Sequence, residues 1–188
     1  MKVFKSTVII AIMVFIVSCG KSTDEQSADA KGFSAIENEI KSKFGNEAYF
    51  TDITITYNSA IGNIIGVTVT DAPESLKMGQ WNLTQNAWRQ NTEISLEVPQ
   101  GSKAADFMFQ LNEKMNLSKL GELVEISGKQ LKDEKNIENP TLNMAYIKFP
   151  KNGNIAITEY VVALKPESGG ATYTFRYKLN GDFIKMDY

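Results

Sequence analysis

The chain has 188 residues, 20 basic and 22 acidic side chains, a single cysteine and no histidine. Lacking histidine, it has no means of building a Ser-His-Asp or Cys-His catalytic centre or a histidine-ligated zinc, iron or copper site. Its net charge of −2 and the absence of any basic block argue against nucleic acid as a partner.

The N terminus carries Lys2 and Lys5, then an almost continuously apolar run from Val8 to Val17, then Ser18, Cys19 and Gly20. The apolar run has the length of a signal-peptide core, and it falls well short of the roughly 20 residues a membrane-spanning helix needs. Ile16-Val17-Ser18-Cys19-Gly20 resembles the lipobox of bacterial lipoproteins. The resemblance implies that residues 1–18 are removed and that Cys19 becomes a lipidated N terminus, which leaves no thiol for disulfide, metal or nucleophilic chemistry. It also implies Gly20 rather than Asp as the sorting residue, hence an outer-membrane lipoprotein of a Gram-negative envelope, facing the periplasm or the cell surface. Removal of Lys2 and Lys5 leaves the remaining chain at −4.

Residues 19–32 are polar and read as a lipidated N terminus on a flexible tether. Phe33, Ile36, Ile40 and Phe44 then recur at helical spacing, with Gly45 as the C-cap. Ile53, Ile55 and Tyr57 alternate with threonines, as do Ile65, Val67 and Val69, which predicts a hairpin around Asn58–Asn63. Leu76–Leu83 and Trp88–Val98 form a second pair of strands.

Pro99-Gln100-Gly101 breaks the sheet pattern. Phe107, Leu111 and Met115, then Leu120, Leu123, Val124 and Ile126, fit helical spacing from a cap at Ser102, with Asn116–Ser118 as a point where this helix could divide. Ala145, Ile147 and Phe149 mark a further strand, and Ile155–Leu164 a longer apolar one. In the last hairpin, Asn180-Gly181 favours a two-residue type I′ turn pairing Tyr177 with Ile184, Phe175 with Met186 and Tyr173 with Tyr188. The opposite face, with Thr174, Arg176, Lys185 and Asp187, reads as solvated.

Helix followed by about four strands thus occurs twice, over 33–98 and 102–188. Gly62-Asn63-Ile64 is echoed by Gly153-Asn154-Ile155, and Pro73-Glu74-Ser75 by Pro166-Glu167-Ser168. The fold class is α+β, with helices packed on antiparallel sheet in two tandem α-β4 repeats, either as two units or as one domain over 33–188. This layout is similar to the tandem αβ repeats of β-lactamase-inhibitor proteins and to PepSY-like modules; it implies a fold and no function.

No metal or cofactor motif stands in the sequence, and the expected cofactor set is none. Scattered carboxylates (Glu122, Glu125, Asp133, Glu134) and the pairs Ser102-Lys103 and Ser118-Lys119 leave a small hydrolase as an alternative. A structural accessory of an envelope secretion or assembly complex is a third reading. The favoured expectation is a non-enzymatic binding module, inhibitor- or immunity-like. It would be held to the membrane by its lipid and bind a protein, peptide or glycan. Its candidate contact residues are Trp81, Trp88 and Arg89, amid amide side chains suited to an interface. For the two tryptophans themselves, core packing is preferred over a contact role.

Overall fold

The computed structural model describes residues 22–188; the signal segment and Cys19 lie outside the described residues. Helix α1 (Ala30–Phe44) begins where the Asp29 side chain accepts the Gly32 amide and ends at Gly45, whose φ of 94° closes the last turn with its N–H on the Lys41 carbonyl. Phe33, Ile36 and Ile40 form its buried stripe. Helix α2 (Leu117–Lys135) is capped by Asn116 and stopped by Asn136 in the left-handed region. The helices cross at Gly121, where a Cβ would lie 2.3 Å from the Asp29 carbonyl oxygen, so only glycine allows the approach.

Eight strands follow the helices: β1 (Tyr49–Asn58), β2 (Gly62–Thr70), β3 (Lys77–Thr84) and β4 (Ala87–Ser95) after α1, then β5 (Pro140–Lys148), β6 (Glu159–Pro166), β7 (Tyr173–Lys178) and β8 (Phe183–Asp187) after α2. They form one sheet in the order β4-β3-β2-β1-β5-β6-β7-β8. Every pairing is antiparallel. The α+β expectation holds, and the α-β4 order recurs in each half. The halves meet where Thr54, Ile55 and Thr56 of β1 pair with Tyr146, Ala145 and Met144 of β5. One core, containing Ile53, Ile55, Ile65, Leu120, Leu123, Val162 and Phe175, runs beneath both helices and spans both halves.

Four expectations give way. Residues 102–116 are not an α-helix. After a 3₁₀ turn (Ala104–Phe107), Phe109 exchanges backbone hydrogen bonds with Phe50, and the Asn112 side chain accepts the amides of Lys114 and Met115. Buried Met108, Leu111 and Met115 therefore pack from a folded-back strap, because local side-chain caps compete with the helix ladder. Ile155–Ile157 is likewise a 3₁₀ turn, begun by the Asn154 side chain, and its two isoleucines are exposed; the strand starts only at Glu159.

The last hairpin carries a three-residue loop instead of a type I′ turn. Gly181 donates to the Lys178 carbonyl and Lys178 to the Asp182 carbonyl, with Gly181 at φ 92°. Tyr177 consequently faces Phe183, and Ile184 bulges out and is exposed, which returns Phe175 to Met186 as expected. Finally, the segment from Thr23 to Asp29, read as part of a loose tether, is docked. It makes a 3₁₀ turn (Thr23–Glu25), and the Asn63 side chain donates to the carbonyls of Thr23 and Gln26.

Candidate binding face of the sheet

Both helices pack on one side of the sheet, so strand alternation sends every second side chain to a helix-free side. Strand register defines a row that crosses all eight strands on this side: Arg89, Asn82, Gly66, Thr54, Tyr146, Val161, Arg176 and Lys185. A neighbouring row carries Asp52, Thr68, Gln80 and Thr92 over β1 to β4. At one corner the strap after β4 covers this side, where Met78, Ala104 and Met108 form a small separate core with Leu76, Ile94, Leu96 and Val98.

Electrostatics differ between the halves. Over β5 to β8 the charges form a ladder. Lys148 lies 3.3 Å from Glu159, Arg176 lies 3.0 Å from Glu159 and 3.7 Å from Asp187, and Lys185 lies 2.9 Å from Asp187. Burial alone would raise the Glu159 carboxyl, but hydrogen bonds from Arg176 and Lys148 outweigh it and hold the group below its ordinary range. A hydrogen bond from Lys185 lowers Asp187.

Over β1 to β4 the face is amide and hydroxyl. Its one half-buried acid, Asp52, accepts the Thr54 hydroxyl at 3.2 Å, and burial pushes its carboxyl upward against that bond. Asp52 was not among the sequence candidates. The signal for it was the three-residue step from Phe50 to Ile53, which marks the bulge that turns Asp52 onto this side.

The structure separates the three candidate contact residues. Trp81 and Trp88 lie on the helix side, with the Phe44 ring edge-on at 5.6 Å and 4.9 Å. The Trp88 indole donates to Glu39 at 2.9 Å, and the Lys43 ammonium sits 5.0 Å from the Trp81 ring. These contacts are core-edge packing of α1 on β3 and β4. Arg89, one residue from Trp88, points to the opposite side, is exposed, and makes no ion pair among the described residues.

Neither a family model nor a curated protein sequence matches the chain. Its architecture is shared with a crystal structure described as "a putative lipoprotein (CD1622) from Clostridium difficile 630". The TM-score is 0.50 at 15% identity, over 89% of this chain and 99% of that one. At that identity the likeness speaks for the fold alone.

The groups raised as possible catalysts occupy other places. Lys119 pairs with Glu122 at 3.0 Å, Glu125 accepts the Ala30 amide, Asp133 lies 3.8 Å from Lys129, and Ser102-Lys103 is exposed on the strap. A polar cleft of about 1040 Å³ opens between α1 and the start of α2, lined by Glu37, Lys41, Asn116, Ser118 and Lys119 among others. Within it, Glu37 bonds Lys41 and accepts the Leu117 amide at 2.7 Å, the position of a helix-capping carboxylate. Beneath it, the Tyr160 hydroxyl accepts from the Asn116 amide and donates to the Asn116 carbonyl, and burial pushes its phenol up to about 12.

Proposed function

We propose that this chain is a lipid-anchored envelope protein whose domain binds a protein partner on the helix-free side of its sheet. The observation that carries the reading is the eight-strand row from Arg89 to Lys185, which presents Arg89, Asn82, Thr54, Tyr146, Arg176 and Lys185 on the helix-free side and is interrupted only at Gly66 and the buried Val161. Seven inter-strand steps of about 4.8 Å give a width of roughly 34 Å, and strands of about 25 Å give a side of close to 850 Å²; less the corner under the strap, this is within the area one partner contributes to a small or standard protein interface. The charged half would orient a partner and the amide-hydroxyl half would supply adaptable hydrogen bonds. An inhibitor- or immunity-like role fits such a surface.

Anchoring through Cys19 rests on the lipobox; the protein that shares this fold is itself described as a lipoprotein. That protein comes from a Gram-positive bacterium, so the architecture is not tied to an outer membrane. Assignment to the outer membrane rests on Gly20.

The test is in-cell photo-crosslinking of the lipidated protein from Asn82, Tyr146 and Lys185, with Asn38 on the helix side as the control. Crosslinks to one protein from the sheet positions and none from Asn38 are expected. Crosslinking from Asn38 alone, or a glycan bound by the pure domain in place of any protein, would overturn it.

A further inference from the structure

The docked N-terminal segment fixes where the chain leaves the domain. The Thr23 amide donates to the Asn86 side chain in the β3–β4 turn at 3.0 Å, and its carbonyl accepts from Asn63 at the start of β2. Asn63 is 2% exposed, and its amide is spent on this segment: the stronger bond, 2.8 Å, goes to Gln26. A buried donor whose partners are tether carbonyls is unsatisfied if the segment lifts away. Beside it, Glu25–Ala28 share the wall of a cleft of about 510 Å³ with Tyr57, Ser59, Gly62 and Pro140–Leu142. The chain therefore leaves the domain at one end of the strands, among the β1–β2 turn, the β3–β4 turn and the start of β5.

Gly20, Lys21 and Ser22 alone lie between Cys19 and Thr23. Four Cα steps at full extension reach about 14 Å, less than half the roughly 33 Å length of a ten-residue strand. We infer that this end of the sheet faces a phospholipid bilayer at contact distance, with the strands rising from it and the helix-free side looking along the membrane. The inference rests on the lipid-anchor reading of Cys19. At the lipid-facing end Tyr57 is 40% exposed, the kind of side chain that settles at a bilayer interface. The far end, with the exposed Ile155, Ile157 and Phe183, is held roughly 30 Å out by the strand length.

The full chain is produced in a lipidating host with a cysteine at Ala60, in the β1–β2 turn, or at Lys151, beyond β5. Each introduced thiol carries a fluorophore, and the protein is reconstituted in phosphatidylethanolamine–phosphatidylglycerol vesicles holding doxyl-labelled phosphatidylcholine. Strong quenching at position 60 and little at position 151 is expected, and equal quenching overturns the inference. Inserting about 20 Gly/Ser residues after Gly20 adds a coil of roughly 25 Å and is expected to bring position 60 down to the level of 151. Quenching that persists in that variant overturns the short leash as its cause. Incorporation of a palmitate analogue, lost in Cys19→Ala, is scored in parallel. Incorporation with equal quenching sinks the orientation alone, whereas failure to incorporate sinks the anchor itself.

Discussion

Replacing Asn63 by alanine probes the contact that holds the N-terminal segment. The side chain donates at 2.8 Å to Gln26 and at 3.3 Å to Thr23, from a position nearly closed to water. A neutral hydrogen bond contributes about 0.5–1.5 kcal/mol net, and the longer of these belongs at the low end, so the pair holds the segment by roughly 1–2 kcal/mol. Since 1.4 kcal/mol is a factor of ten, the population of the undocked segment rises about 5- to 30-fold. Hydrogen exchange read by mass spectrometry should speed by that factor over residues 23–28, with the strands of β5 to β8 unaffected. Asn63→Asp should act more strongly, because it sets a carboxylate against two carbonyls. If Asn63→Ala lowers global stability and leaves exchange of 23–28 unchanged, Asn63 is a core residue, and the clamp argument fails.

Trp88→Phe keeps the ring edge against Phe44 and loses the bond to Glu39, so urea denaturation should show a loss of about 1 kcal/mol. A folded variant of unchanged stability that no longer captures its partner would return the indole to a contact role. Ser127 accepts or donates at 2.7 Å with the buried Tyr177 hydroxyl, so Ser127→Ala should cost roughly 1–3 kcal/mol. The double variant Ser127→Ala, Tyr177→Phe should cost less than the sum of the two single changes, as a double-mutant cycle would show. Asp52 has its carboxyl raised by burial, so above the unfolded value of 3.8 the folded state holds the proton longer than the unfolded one. Its contribution is therefore complete below that value and is lost as pH rises through the raised one. Asp52→Asn should be as stable as the parent or more so at neutral pH and should flatten this part of the stability–pH curve. A variant less stable at pH 7 than the parent would refute that sign.

Local chemistry made much of the fold legible, and tertiary contacts explain the rest. The Phe33–Ile36–Ile40 stripe and Gly45 define α1 because each acts within its own turn. The two hairpin turns show where local preference fails. Asn180-Gly181 has the favoured residues for a type I′ turn, but the Asn180 side chain accepts the Asp182 amide and donates to its carboxylate, and the turn takes a third residue. The tight turn forms instead at Gln85-Asn86, with φ of 48° and 59°, where Asn86 is held by the Thr23 amide from 63 residues away. Composition reads the 19–32 segment as a tether for the same reason: it holds no large apolar side chain to signal packing, and the partner of its docked part, Asn63, lies in another element.

The binding face was legible only in pieces. Alternation assigns Thr54, Asn82 and Arg176 to the sides of their own strands, but not to one another. That depends on β1 pairing with β5, a contact between strands separated by two hairpins and a helix. The resulting order leaves β4 and β8 as edges, and both are blunted. In β4, Asn91 is an extra residue between Gln90 and Thr92, and Arg89 and Glu93 are exposed; in β8, Ile184 bulges out between Phe183 and Lys185. Bulges and charges at an edge oppose the addition of another strand. A partner that binds by extending the sheet is therefore disfavoured at both edges, while the row between them offers Asn82, Thr54, Tyr146 and Arg176 with no helix in front of them. If partner capture survives charge reversal at Arg176 and Lys185 together but is lost when a proline is placed in β4 or β8, the edge is the binding element and the face is not.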